Sequence, residues 1–513
     1  MAVPLSRIRA LNALTSQPDR AYVLYWMTAS RRLTGNYALA RAAELAREFS
    51  RPLVVFEALR AGYPHASDRL HAFVIDGMAE HARVLRQTAV AYYPYVEPAH
   101  GDGRGLLDAL AGHAAAIVTD DYPCFFLPRM AAAAAARLPV RLEAVDSNGL
   151  LPMRAAAREF LTAYSFRAHL QRELPALLGT WPREIDLNGL PRAAAVPGGR
   201  ARSRQDAGAL SLIDAVILAR WPATPASALD DPAALVARLP IDHSVPPASR
   251  RGGSAAGRTA LADFNGTKLA RYADDHSHPD AEGTSGLSPW LHFGHVAPHE
   301  VFDAIATAER WTSRRLAARA GGKREGWWGM SAGAEAFLDQ VITWRELGLN
   351  LCVSRPGDYW TFDAVPAWAR TTLGRHARDP RPARYAFEEL DTASTGDDVW
   401  NAAQRQLVAD GWMHNYLRML WGKRILEWTA SPEDALDVMT RLMNRYALDG
   451  RDPNSYTGYL WTLGRYDRPW APERDVFGTV RYMSSANTLR KLKMKAYMRR
   501  YGSGPAPRTL FSA

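Results

Sequence analysis

The sequence predicts an α/β domain followed by an all-α domain. Short apolar runs alternate with helical periodicity across residues 21–147, which is the pattern of a parallel sheet covered on both faces. From about 284 to 500 helical periodicity dominates and strand signals fade. The length of 513 residues allows two or three domains and a sizeable core.

The strands are read first. "AYVLYWM", "PLVVFEAL", "AVAYYPYV", "AAIVTDD" and "PVRLEAV" are short, apolar and rich in β-branched or aromatic residues. Between them "NYALARAAELAREF" and "PRMAAAAAARL" are built for helices. The result resembles a Rossmann-like domain. No Gly-x-Gly-x-x-Gly follows the first strand, and "GDGRG" at 101–105 reads as a loop, so the usual dinucleotide turn is missing. Residues 192–206 and 243–258 are Pro/Gly/Ser-rich and basic, and are expected to be exposed linkers.

Composition narrows the function classes. Net charge is +10, which favours a polyanionic partner without specifying one. The two cysteines, Cys124 and Cys352, have no metal-ligand spacing and fit a reducing cytosol, so a cytoplasmic protein without a metal centre is expected. No apolar run reaches the roughly 18–20 residues of a membrane span, and the first twenty residues have no signal-peptide core. Fifteen of the sixteen tryptophans follow residue 180. Two of them, Trp421 and Trp428 in "GWMHNYLRMLWGKRILEW", are seven residues apart. On a helix they share one face about 10 Å apart. That spacing suits core packing and also electron hopping between indoles.

The order of several longer motifs discriminates further. "VLYWMTASRRLTGNYALA" (23–40), "TSGLSPWLHFG" (284–294), "VWNAAQ" (399–404), "MHNYLRMLWGKRILEW" (413–428), "LDGRDPN" (448–454) and "DRPW…VFGTVRYMS" (467–470, 476–484) together resemble the class II photolyases of the photolyase/cryptochrome family over most of the chain. The resemblance implies an antenna domain at 1–150, a linker and the start of the helical region at 151–260, and an all-helical FAD-binding domain at 261–513. It implies FAD, an antenna chromophore of deazaflavin or folate type, UV-damaged DNA as partner, and a monomer. The implied reaction is light-driven electron donation from reduced flavin to a pyrimidine dimer.

Site residues carry over by motif. Trp400, Trp421 and Trp428 match the electron-transfer chain, and Trp412 is left to packing. Thr284, Ser285, Gly286, Leu287 and Ser288 match the loop that holds the FAD phosphates, where small residues and hydroxyls let donors approach closely. Tyr272 matches an FAD contact, and Arg418 and Asp449 a charged pair beside the isoalloxazine. Trp344, Tyr385, Met419 and Trp461 match lesion-lining positions, where aromatic faces hold flipped bases. Arg468 and Trp470 match a hairpin that fills the duplex gap. The tail 489–500 carries six basic residues and suits phosphate contacts or plain solvation.

Three positions depart from the pattern. Gln340 stands where cyclobutane photolyases have a glutamate. Its amide donates a hydrogen bond but cannot exchange a proton as a carboxyl group does. Photolyases of the pyrimidine–pyrimidone type use glutamine there. His276 replaces an arginine that contacts the lesion. Met443 replaces an asparagine near flavin N5, and Asn444, one position later, is rotated by about 100° and does not substitute. The expected function is therefore dimer repair with altered lesion preference. A cryptochrome-type photoreceptor, or a flavoenzyme acting on a small molecule, are the alternatives.

Overall fold

The computed structural model describes residues 2–192 and 210–502; the expected linker at 192–206 lies outside them from 193 onward. The chain forms two compact units. One comprises Met1–Ala155, Leu177–Thr259 and Ser288–Val301, the other Ala156–Ala176, Ala260–Leu287 and Phe302–Ala513. The chain thus passes between the units several times.

The first unit holds a 6-stranded sheet. Its strands are β1 (Ile8–Ala10), β2 (Tyr22–Met27), β3 (Leu53–Leu59), β4 (Ala91–Val96), β5 (Ala114–Asp120) and β6 (Leu142–Val145), in the order β1-β6-β5-β2-β3-β4. All five strands expected from the sequence are present and pair in parallel. The extra strand, β1, pairs antiparallel with β6 at an edge. Only three residues long and mostly exposed, it carries no apolar run to announce it. Pro94 fits in β4 because β4 is the opposite edge, where a missing N–H breaks no ladder. Helices α1 (Tyr37–Glu48) and α2 (Asp68–Leu85) follow β2 and β3. Asn36 starts α1 by accepting a hydrogen bond from Leu39 N–H.

One polar residue sits inside this core. Glu57 of β3 is fully buried and accepts from Arg31 (2.7 Å), His81 (2.8 Å) and the Tyr92 hydroxyl (2.7 Å). Burial pushes its carboxyl up, but His81 and Arg31 outweigh that and hold it at about 2.

The stretch 243–258 is only partly a loop. A helix begins at Ser254, and Gly252, Gly253 and Ser254 are buried. A Cβ at Gly252 would lie 1.7 Å from the Phe73 carbonyl oxygen, so the glycine serves close packing and not linker freedom.

The second unit is helical; among the described residues no strand follows β6. Its centre is built from α3 (Asp398–Asp410), α4 (Asn415–Trp428), α5 (Pro432–Tyr446) and α6 (Pro453–Thr462). A π-helical turn at Asp339–Trp344 continues the helix Ala332–Leu338 into Arg345–Ser354. No helix among the described residues is long and apolar enough to cross a membrane.

Candidate functional site

Asp397 caps α3 by accepting from Val399 and Trp400 N–H at 3.1 Å, which sets the first turn and Trp400 within it. Trp421 and Trp428 come from α4. The two are not sequential neighbours in the stack: Trp400 touches both. Its ring lies parallel to Trp421 (6.2 Å between centroids, 4°) and edge-on to Trp428 (5.4 Å, 69°). All three are buried. Trp400 Nε1–H donates to the Trp421 carbonyl (3.0 Å) and Trp421 Nε1–H to Gln404 Oε1 (2.9 Å), so two indoles are held by hydrogen bonds as well as by packing.

Tyr385, expected among the lesion-lining residues, stands edge-on to Trp428, 4.9 Å between centroids. The loop before helix Phe387–Asp391 delivers it there, and its hydroxyl accepts from Gly396 N–H (2.9 Å). Arg424, four residues before Trp428 on α4, covers that indole at 4.8 Å and pairs with Asp397 at 2.9 Å. The i, i+4 spacing of Arg424 and Trp428 was the available signal.

Arg418 and Asp449 do meet. Arg418 Nη2 lies 3.2 Å from both carboxylate oxygens, while its Nε–H is buried without a partner. Ser455 Oγ–H anchors the Asp449 carbonyl at 2.7 Å. Met443 is fully buried on α5. The adjacent Asn444 is committed elsewhere: its Oδ1 accepts from Arg451 N–H at 2.9 Å and its carbonyl accepts from the Arg451 guanidinium. Gly450 is required in this turn, since a Cβ would approach the Met443 carbonyl oxygen to 2.6 Å.

Tyr272 is buried against Phe264 (5.6 Å) and Phe337 (5.3 Å), and burial raises its hydroxyl pKa. His276 stacks on it at 4.9 Å. The His276 Nδ1 lies 2.8 Å from the Tyr272 carbonyl and Nε2 3.3 Å from Ser277 Oγ. Both ring nitrogens are thus used within their own turn. The imidazole closes its own helix end. In the loop Thr284–Leu287, Gly286 adopts φ 64° and Leu287 N–H donates to Ser285 Oγ. Ser288 begins the next short helix. Among the described residues the Ser285 and Gly286 N–H groups donate to no protein acceptor.

Gln340 and Trp344 lie on the π-turn. Ala336, Gln340 and Trp344 are half-buried while 337–339 and 341–343 are buried, so these positions form one open face. The turn is clamped by Arg167, whose Nε and Nη2 donate to the two Asp339 oxygens at 2.7 and 3.0 Å. The Gln340 amide makes no hydrogen bond among the described residues. Trp344 stands edge-on to Tyr466 at 6.4 Å, a contact with no sequence signal. Met419 is half-buried on α4. Trp461 is flanked by Lys423 (5.0 Å) and Arg481 (5.7 Å). In the 467–481 hairpin, Trp470 Nε1–H donates to Asp467 Oδ1 (3.1 Å), and Arg468 (5.1 Å) and Arg481 (4.1 Å) lie over the Trp470 ring.

Lys423 was not singled out by sequence. It is fully buried and donates to the Thr462 carbonyl at 2.6 Å. Burial, helped by Arg481 and opposed by Asp467, pushes its ammonium from 10.5 down to about 7. Between those values the unfolded chain binds one more proton than the folded one. Stability therefore rises with pH there, by at most about 1.4 kcal/mol per unit. We expect wild type to gain stability relative to Lys423→Met from pH 7 to 9 in urea melts. Parallel pH profiles would contradict this.

The donor set fits a flavin dinucleotide. Free N–H groups and hydroxyls in 284–286 suit a pyrophosphate, and the orphan Arg418 Nε–H beside Asp449 suits a polar heterocycle edge. For an antenna chromophore the sheet unit is less inviting. At the carboxyl ends of β2 and β5, Asp120 already accepts from Thr28, Ala29 and Ser30 N–H and from Tyr25. Asp120 at this end of the sheet is thus committed to the Thr28–Ser30 turn.

No protein-family model matches the chain. Curated relatives do. The chain is 33% identical over 495 residues to a deoxyribodipyrimidine photo-lyase of Methanothermobacter thermautotrophicus, covering 96% of this chain and 97% of that protein. It is 30% identical to the enzyme of the same name from Potorous tridactylus (96% and 84% covered) and 30% identical to that of Arabidopsis thaliana (97% and 93%). Among solved structures, a class III photolyase from Agrobacterium tumefaciens superposes with a TM-score of 0.57 at 18% identity, covering 96% of this chain and 88% of that one. A cryptochrome from Synechocystis sp. PCC6803 superposes with a TM-score of 0.61 at 14% identity (94% and 88%). The chain therefore belongs to the photolyase/cryptochrome family.

Proposed function

We propose that the chain is an FAD-dependent, light-driven deoxyribodipyrimidine photolyase of class II type. The observation that carries this reading is the buried stack Trp421–Trp400–Trp428 in the same helical unit as the Arg418–Asp449 pair. Near-full-length similarity to proteins named deoxyribodipyrimidine photo-lyase supports it.

Bound FAD supplies one electron to the dimer under light and takes it back after the ring opens. The chain's own residues do the rest. Thr284, Ser285 and Gly286 donate to the phosphates. Arg418 and Asp449 hold fixed charges beside the flavin ring, where a dry site makes them effective. Met443 would offer the bound flavin a buried thioether where the resemblance implies an amide. Trp344 and Trp461 offer aromatic faces to flipped pyrimidines, and Gln340 donates its amide N–H to a base carbonyl. The three indoles relay reducing equivalents inward, and Tyr385 extends them outward. The N-terminal sheet domain is expected within residues 1–150 and the cofactor-binding domain within 261–513, apart from Ser288–Val301, which packs with the first unit.

The test is blue-light repair of an oligonucleotide with a defined cyclobutane thymine dimer by photoreduced protein. Wild type is expected to repair it. Gln340→Glu is expected to be a few-fold faster, or ~1 kcal/mol in activation free energy, because a carboxyl group can donate both a hydrogen bond and a proton. Absence of repair by a protein whose flavin bleaches normally would reject the reading and favour a photoreceptor.

A further inference from the structure

We propose that the segment 375–384 is a phosphate-binding strip that holds the DNA backbone beside the 467–481 hairpin. The inference rests on DNA being the substrate.

The segment reads "RHARDPRPAR" and places an arginine at every third position: Arg375, Arg378, Arg381 and Arg384. Helix Ala367–Arg375 ends at its start, and 376–386 are irregular. Pro380 and Pro382 each lock one φ, which lowers the entropy lost when the strip is immobilised against a partner. Residues 376–378 turn back, while the stretch from Arg381 to Arg384 can span up to about 10 Å, so those two guanidinium groups can reach different phosphates.

The charges are mostly uncompensated. Arg375 pairs with Glu473 at 3.1 Å. The one acid in the segment, Asp379, is occupied by His376 Nδ1 (2.6 Å) and Val476 N–H (2.9 Å). Arg378 and Arg384 are exposed and make no ion pair among the described residues. Arg381 donates to the Ala430 carbonyl at 3.0 Å, but its Nη1 is buried without a partner. Burial, then the charge of Arg384, lowers its pKa, against the pull of Asp379. A fold that sets like charges together and leaves a guanidinium donor unused is arranged for an anion that arrives later.

The strip is continuous with the hairpin. Thr479 N–H donates to Thr372 Oγ1 at 3.0 Å, and Glu473 reaches both Arg375 and His376. Arg468 and Arg474 on that hairpin pack on aromatic rings and make no ion pair among the described residues. Phosphates are the matching chemistry: regularly repeated anions along a flexible chain, bound without reading its bases.

Anisotropy titrations at several salt concentrations test this. The probes are a duplex carrying a thymine dimer and the same duplex undamaged. The proteins are wild type, Arg378→Ala/Arg384→Ala, and a control with the same charge loss in the sheet unit, Arg83→Ala/Arg86→Ala. The strip variant is expected to lower the slope of log K against log salt by about 2, near 0.9 per lost phosphate contact, equally for both duplexes. The control is expected to keep the wild-type slope. An unchanged slope in the strip variant, or an equal fall in the control, overturns the strip while leaving the repair function standing. A wild type that binds neither duplex removes both. Matched melting curves for the three proteins exclude misfolding.

Discussion

Trp400→Phe is expected to abolish most photoreduction of the bound flavin. Trp400 lies between the other two indoles, 6.2 Å from Trp421 and 5.4 Å from Trp428. A phenyl ring at that place keeps the apolar packing but is far harder to oxidise than an indole. We expect the rate under blue light with an external reductant to fall by more than about tenfold, which is ~1.4 kcal/mol or more on the barrier. The accompanying stability loss is about 1–2 kcal/mol, since the smaller ring leaves a void and the hydrogen bond to the Trp421 carbonyl is lost. Chemically reduced protein separates the causes: its dimer repair should match wild type, because relay and repair are different steps. Photoreduction at the wild-type rate would remove the stack from the electron path.

Asp449→Ala is expected to cost both stability and flavin. The carboxylate receives Arg418 Nη2 on both oxygens and is nearly buried. Removing it strands the guanidinium, a loss of ~3–5 kcal/mol for a fully buried pair. Arg418 retains 18% side-chain exposure, so about 2–3 kcal/mol is expected here, after screening by water. The flavin-to-protein ratio of the purified variant is the second readout. Asp449→Asn keeps one acceptor and should lose less of each. An alanine variant that is destabilised yet fully loaded with flavin would make the pair a structural clamp only.

Local pattern made much of this legible. The five parallel strands are apolar because both faces of the sheet are covered, and continuous apolar runs survive in the sequence as a direct signal. The sixth, β1, has no such burial and stayed silent. Arg418 and Asp449 were paired from motif order, and the structure brings them together. Gln340 and Trp344 are four residues apart, which on a helix gives them one face. The π-turn keeps them there, although nothing in "DQVITW" announces an extra residue in the turn.

Contacts between distant segments were legible only where a motif implied them. Spacing put Trp421 and Trp428 on one face of α4, and the resemblance added Trp400, but the geometry of the stack depended on how α3 packs against α4. The contact of Tyr385 with Trp428 had no signal either, because motif order does not say which side chains a loop residue touches. His276 was placed by motif where an arginine contacts the lesion, and sequence gave no sign that both its nitrogens meet groups of its own turn. Lys423 carried no signal in the sequence; its burial beside Trp461 displaces its pKa downward. The amino-acid order by itself settled the fold class, the helix and strand periods and the inventory of chemical groups, because these depend on near neighbours in the chain. Only the tertiary structure decided which groups touch, which hydrogen bonds are already taken and which charges are left uncompensated, because those depend on burial and on residues far apart in sequence.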